Sequence, residues 1–170
     1  MPKRPMPTSS FPEAELQPAG AAHQGPAAVE DLLGYLLALA QLPTRRAFRA
    51  HVGEPFELRP VEFTLLMLLQ AYQRASAKQI GGALRLPAPH VTTLVDRLRE
   101  RGLVQRARDP QDGRAVRITL TEAGKGLATQ LQAASLHMED GLQAALTPAE
   151  RMQLRRLLKK LAASDPNSSS

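Results

Sequence analysis

Between residues 91 and 124 the sequence VTTLVDRLRERGLVQRARDPQDGRAVRITLTEAG changes its apolar period, and this change constrains the fold more than any other feature. Val91, Leu94, Val95 and Leu98 fall on one stripe of a 3.6-residue repeat, with Arg97 and Arg101 off it, which predicts an amphipathic helix. Gly102 follows, and glycine commonly ends helices because it enters the left-handed region at little steric cost. From there the period falls to two. Val116, Ile118 and Leu120 alternate with Arg117 and Thr119, which predicts a strand with the three apolar residues turned inward. Asp109-Pro110-Gln111-Asp112-Gly113-Arg114 supplies turn chemistry between this strand and the one before it. A helix followed by an arginine-tipped hairpin suits two adjacent grooves of a DNA duplex.

The charge distribution agrees with that partner. At 170 residues the chain is long enough for one well-cored domain with tails. Its net charge of +6 favours an anionic partner, although charge alone equally fits RNA, a membrane surface or plain solubility. The eight arginines and no lysine between Arg85 and Arg117 are more specific, because a planar guanidinium binds phosphate and guanine edges through two parallel hydrogen bonds. The absence of cysteine removes disulfides, thiolate metal sites and thiol-based sensing. No apolar run approaches the ~20 residues that cross a bilayer. Lys3 and Arg4 are not followed by the apolar stretch of a secretory signal, so no membrane partner and a cytoplasmic location are expected. No Gly-rich phosphate loop, H-E-x-x-H, cysteine nucleophile or G-x-S-x-G is present, so neither an enzyme nor a cofactor is expected. His137 and Asp140 have the spacing of two metal ligands on one helix face, but without a third they read as a polar surface pair.

The rest of the chain reads as a helical framework between two tails. Residues 1–28 hold six of the fourteen prolines and too few apolar residues to offset their ordering entropy, which predicts disorder; residues 164–170 read the same way. Leu32, Leu33, Leu36, Leu37 and Leu39 begin a broadly apolar helix over 29–53 that Pro43 is expected to kink or split. Pro60 opens a second helix, with Phe63, Leu66, Met67 and Leu69 directed inward and Tyr72 read as core or interface, as is Phe63. Ser76-Ala77-Lys78-Gln79 fits a capping box for a short third helix. Helix, short helix, turn and helix over 58–120 make a helix-turn-helix, and the hairpin is its wing. Leu127, Leu131, Ala134 and Met138 line a further helix after Thr121, and Thr147-Pro148-Ala149-Glu150 starts a last one bearing Leu154, Leu157, Leu158 and Leu161. The first helix and these last two, 121–163, carry apolar faces with little local core to cover, and dimerisation accounts for them most economically.

The order of these elements, with Asp96-Arg97-Leu98, Arg101-Gly102-Leu103-Val104, Asp112-Gly113-Arg114 and Leu120-Thr121-Glu122-Ala123-Gly124, resembles the MarR family of bacterial transcription regulators over roughly residues 29–163. The resemblance implies a mainly α fold with a β-hairpin wing, in a two-fold dimer joined by the N- and C-terminal helices. It implies a regulator, more often a repressor, released from DNA by a small aromatic or acidic effector. It also implies an ion pair between Asp96 and Arg114 that braces the wing against the recognition helix. By the same resemblance Arg45, Phe48, His51 and Met67 fall where an effector pocket is lined, against the plainer reading of core packing and solvated charge. Thr93 stands where arginine is frequent and Arg85 where glycine often ends the short helix.

His90, Thr92, Thr93 and Arg97, at and beyond the N-terminal end of the recognition helix, are the candidates for base contacts; the competing reading is a solvated helix face. Arg106, Arg108, Arg114 and Arg117 in the wing are candidates for phosphate or minor-groove contact, against a purely solubilising role. For Arg114, bracing Asp96 and touching DNA compete for one guanidinium. The partner expected is double-stranded DNA with a palindromic operator. The alternative is a winged-helix protein that uses its basic face for non-specific DNA coating or protein interaction.

Overall fold

The computed structural model describes residues 27–108 and 116–164, and within them lie seven α-helices, a π-helical turn and three short strands. Most of the two tails and the wing tip with Arg114 lie outside the described residues. The described residues up to Leu36 and those from Leu37 onward form separate compact units. The first holds α1 (Ala27–Glu30) and the opening turn of α2 (Leu33–Phe48), with Asp31 and Leu32 between the two helices. Of the kink or split expected at Pro43, the split does not occur: α2 continues through it to Phe48. The carbonyl that loses its donor lies on a helix with no buried residue, where water can take the place of the missing N–H. A π-helical turn, Arg49–Gly53, follows, in which the Glu54 N–H donates to the Arg49 carbonyl at 2.9 Å.

The core is organised around α3 (Pro60–Tyr72), which buries Leu65, Leu66 and Leu69 completely. Tyr72, expected in the core or an interface, is 68% exposed, because α3 ends there and the chain turns away through Gln73. Ser76 closes the anticipated capping box: its Oγ accepts from Gln79 N–H at 3.2 Å and its own N–H donates to Gln79 Oε1 at 2.9 Å. That box starts α4 (Ala77–Leu84), which ends on Arg85 in the left-handed region at φ 52°, where glycine would sit without strain. α5 (Ala88–Glu100) then packs against α4 and β2 (Val104–Arg108), its stripe of Val91, Leu94, Val95 and Leu98 buried in the common core. Gly102, at φ 70°, stops α5: its N–H donates to Arg99 O and that of Leu103 to Leu98 O, both at 2.9 Å, the paired bonds of a Schellman motif.

The wing is an antiparallel ladder of β2 (Val104–Arg108) and β3 (Val116–Leu120), running from Val104 opposite Leu120 to Arg108 opposite Val116. A two-residue strand β1 (Arg74–Ala75), too short to leave a pattern in the sequence, pairs with the other edge of β3, giving the order β1-β3-β2. Ile118 and Leu120 turn into the core as expected, but Val116 is 54% exposed. It pairs at the far end of the ladder, beyond the reach of the helices, so alternation there has nothing to pack against.

Thr121 joins the wing to α6 (Glu122–Gln143). Its Oγ1 donates to Gly102 O at 2.6 Å and accepts from Gly124 N–H at 3.0 Å, while its N–H reaches Leu103 O at 3.1 Å. A Cβ on Gly124 would lie 2.0 Å from that same Leu103 oxygen, so only glycine lets the helix start so close to the wing root. α6 then crosses α3 with Ala128 and Leu131 buried. α7 (Pro148–Ala163) begins at Thr147, whose N–H and hydroxyl hydrogen-bond Glu150 and hold its carboxyl below the usual carboxylate range. None of its residues is buried.

The contact at Gly124 has a measurable consequence. Gly124→Ala should destabilise the fold by roughly 2–4 kcal/mol, since backbone has to move to admit the methyl group. Gly126→Ala, one half-turn on with nothing within 4 Å, should stabilise it by about 0.5–1 kcal/mol through helix propensity. Urea midpoints of the two variants check this, and equal shifts would show that the approach to Leu103 is not limiting.

Candidate nucleic-acid interface and ligand pocket

α5 presents two faces of opposite character. Its apolar stripe is locked in the core, which fixes the rotation of the helix, and His90, Thr92 and Thr93 emerge exposed on the other side of its first turns. The hydroxyls of Thr92 and Thr93 donate back to Ala88 O at 3.2 Å and Pro89 O at 3.1 Å, which sets their rotamers and leaves an oxygen lone pair and a methyl outward. Pro87 gives α5 no side-chain cap, so the Ala88 N–H at the helix start is available to an anion.

Arg97 behaves differently from its neighbours. It is half-buried, and its Nη1 lies 3.4 Å from Glu62 Oε1 on α3. Glu62 is the one charged side chain buried among the described residues. Its Oε2 accepts the Arg59 N–H at 2.9 Å, completing the cap of α3, and lies 4.0 Å from Arg101 Nη1. Arg101 also donates to the carbonyls of Glu57 at 3.0 Å and Phe56 at 3.2 Å. One carboxylate thus gathers the start of α3, Arg97 of α5 and Arg101 at its C-terminal cap. The sequence signals only its capping role, two residues after Pro60; its burial and its arginine partners depend on the tertiary fold.

Asp96 pairs with Arg106 of β2 at 3.1 Å and with Arg99 at 3.3 Å. The recognition helix and the wing are therefore tied through Arg106, while Arg114 lies outside the described residues. Arg117 is half-buried and donates to Gln79 Oε1 at 3.2 Å, linking β3 to the start of α4. Arg108, at the outer end of β2, is exposed.

A cavity of about 380 Å³ lies among α2, α3 and α6, lined by Arg45 and Phe48, by Pro60, Phe63 and Thr64, and by Met138 and Glu139 among others. The rings of Phe48 and Phe63 meet edge to face at 5.8 Å. Of the four pocket residues expected from sequence, the cavity brings together Arg45 and Phe48; His51 is exposed elsewhere and Met67 packs against the core. Thr64, Met138 and Glu139 carry no signal that would have placed them here, because α6 is remote in sequence from the helices it meets. Phe63, which the sequence reads as core or interface, lines the cavity instead of being fully buried.

A family model described as "MarR family" matches residues 58–116, the helix-turn-helix and most of the wing. The chain is 31% identical over 114 residues to an uncharacterized HTH-type transcriptional regulator of Bacillus subtilis strain 168, YhbI, covering 65% of this chain and 74% of that one. The chain belongs to the MarR family. Among solved structures, the transcriptional repressor CouR bound to a 23-mer DNA duplex superposes with a TM-score of 0.74 and 29% identity, over 83% of this chain and 99% of CouR. BpsR of Bordetella bronchiseptica, whose DNA binding is regulated by 6-hydroxynicotinic acid, superposes with a TM-score of 0.73 and 26% identity, over 83% of this chain and all of BpsR. This MarR-family protein is a winged helix-turn-helix transcription regulator. Among its described residues no helix is long and apolar enough to cross a membrane.

Glu62→Ala should cost about 2–4 kcal/mol, because it uncaps α3 and leaves Arg97 and Arg101 without their carboxylate in a partly desolvated site. Arg49→Ala, which breaks an ion pair exposed on both sides, should cost less than about 0.5 kcal/mol. Chemical denaturation separates the two, and similar costs would mean that burial of Glu62 adds nothing.

Proposed function

We propose that this regulator is a repressor that binds a palindromic operator as a homodimer and leaves it when a small aromatic acid fills the cavity beside Phe48 and Phe63. The observation that carries the DNA-binding part is the pairing of a rotationally fixed helix, exposing His90, Thr92 and Thr93, with an arginine-bearing wing tied to it through Asp96. Base edges would meet His90, Thr92 and Thr93; the methyl of a threonine suits a thymine methyl, and its oxygen accepts from an adenine or cytosine amino group. Arg97, held by Glu62, contributes chiefly by orienting α5. Arg106, Arg108, Arg114 and Arg117 supply phosphate or minor-groove contacts, with Arg106 and Arg117 also bracing the wing. Two protomers would place their recognition helices about one helical turn apart, reading half-sites ~10 bp apart. The 23-mer bound to CouR is long enough for such a pair. A protein acting on chromosomal operators works in the cytoplasm, and nothing in this reading calls for catalysis.

Support for an effector comes from the cavity's chemistry. Two phenyl rings, an arginine and two threonines surround a volume suited to one small ring with a carboxylate. BpsR responds to a hydroxylated pyridine carboxylate, a molecule of that kind. Release requires that the acid bind the DNA-incompetent geometry more tightly than the competent one.

Selection from a random duplex pool tests the specific reading: a two-fold symmetric motif is expected, and salt-dependent binding without enrichment would favour the coating alternative. Arg108→Ala should weaken binding to all duplexes alike and lower the salt slope by about 1, whereas Thr93→Ala should change which sequence is preferred. Equal losses on operator and random DNA in both variants would contradict this division. For the cavity, 6-hydroxynicotinate and 4-hydroxybenzoate are reasonable probes in operator-release assays. Arg45→Ala should reduce sensitivity roughly tenfold or more while operator affinity stays unchanged, and retained sensitivity would remove Arg45 from the carboxylate site.

A further inference from the structure

A basic cleft distinct from the aromatic cavity and from the exposed face of α5 lies along α7. It encloses about 740 Å³ between the end of α6 and α7, and Arg151, Arg155, Arg156 and Lys159 line it with Met152 and Pro148. Arg151 donates from Nη1 to Gln143 Oε1 at 3.3 Å, yet its Nε is buried without a hydrogen-bond partner among the described residues. Arg155 has Glu139 at 3.6 Å. Arg156 and Lys159 have no partner among the described residues. Beside this cleft α7 exposes Leu154, Leu157, Leu158 and Leu161, each more than two-fifths accessible.

The sequence contains one segment of matching character. From residue 5 to residue 44 the chain has four carboxylates, Glu13, Glu15, Glu30 and Asp31, and no lysine or arginine, whereas α7 has five cations and one carboxylate. Glu30 and Asp31 are exposed, without an ion-pair partner among the described residues, and directly precede the exposed Leu32, Leu33 and Leu36. Both surfaces therefore include unpaired charge next to bare leucine, Arg156 and Lys159 on one and Glu30 and Asp31 on the other, with opposite signs. Desolvated leucine supplies association energy and complementary charge sets register and partner choice.

We propose that the cleft of one protomer receives Glu30 and Asp31 of a second copy, forming an electrostatic clasp that fixes the register of the dimer. This rests on the dimeric reading above and adds to it a defined pairing between acidic and basic segments. In a two-fold assembly the clasp occurs twice, since each copy gives one acidic and receives one.

Two full-length variants test it, Glu30→Lys with Asp31→Lys, and Arg156→Glu with Lys159→Glu, with helicity by circular dichroism as the folding control. Sedimentation at about 50 mM salt should show each variant dimerising roughly tenfold or more weakly than the parent. Mixed together they should form a heterodimer of near-parental affinity, because both clasps are then complementary. A chain carrying all four changes should self-associate normally, and the parental dimer should weaken as salt rises. A parent that is monomeric throughout would overturn the dimeric reading itself. A dimeric parent with unaffected variants would overturn the clasp alone. Restoration in the four-change chain but not on mixing would assign the pairing to a single chain and also overturn it. Lost duplex binding by the Arg156→Glu, Lys159→Glu variant, with unchanged dimerisation, would give the cleft to nucleic acid instead.

Discussion

The carboxylate of Glu62 is the junction on which the reading head depends. Burying a charge costs several kcal/mol unless hydrogen bonds and counter-charges surround it. Here the Arg59 N–H, Arg97 and Arg101 do so from two helices. An apolar residue would pack there with less penalty, but it would not specify where α5 lies along α3. Hydrophobic contacts are tolerant of small slides, whereas a hydrogen-bonded carboxylate is not, and small displacements of α5 matter when its exposed residues must meet base edges. The same group caps α3, whose first turn also forms a wall of the aromatic cavity through Pro60, Phe63 and Thr64. Cavity wall and recognition helix are thus one covalent turn and one ion pair apart.

Local rules carried much of the fold. The two capping boxes at Ser76 and Thr147, Pro60 at a helix start and Gly102 at a helix end are short-range chemistry, and a single sequence displays it fully. The change of period at Gly102 separated helix from wing for the same reason. Expectations failed where surroundings decide. Pro43 did not interrupt α2 because that helix has no buried side on which a missing hydrogen bond would go unsatisfied. Val116 keeps the alternation but has no core beneath it, and β1 is only two residues long.

The candidate sites were readable to different depths. His90, Thr92 and Thr93 follow from the helical period, since positions off a buried stripe must face outward. Arg97 occupies a similar position by count, yet its long side chain reaches back to a partner 35 residues earlier in the chain. Charge placement of this kind depends on which helices become neighbours. The cavity shows the same limit: Arg45 and Phe48 share one helix, but the wall formed by Met138 and Glu139 comes from 90 or more residues downstream.

The close approach of Gly124 to Leu103 gives α6 a fulcrum. At 1.5 Å per residue, Glu139 lies ~22 Å along the helix from that contact. A lateral movement of about 1 Å at Glu139 then corresponds to a rotation of only about 3° at the wing root. A rigid helix pivoting at that contact would act as a reduction gear, its cavity end travelling while its wing end turns slightly. Because Arg106 and Arg108 stand two and four residues out from Val104, even a small rotation would be carried outward along the β2–β3 ladder. A close contact at one glycine, rather than flexibility along the helix, would then couple the two ends of α6.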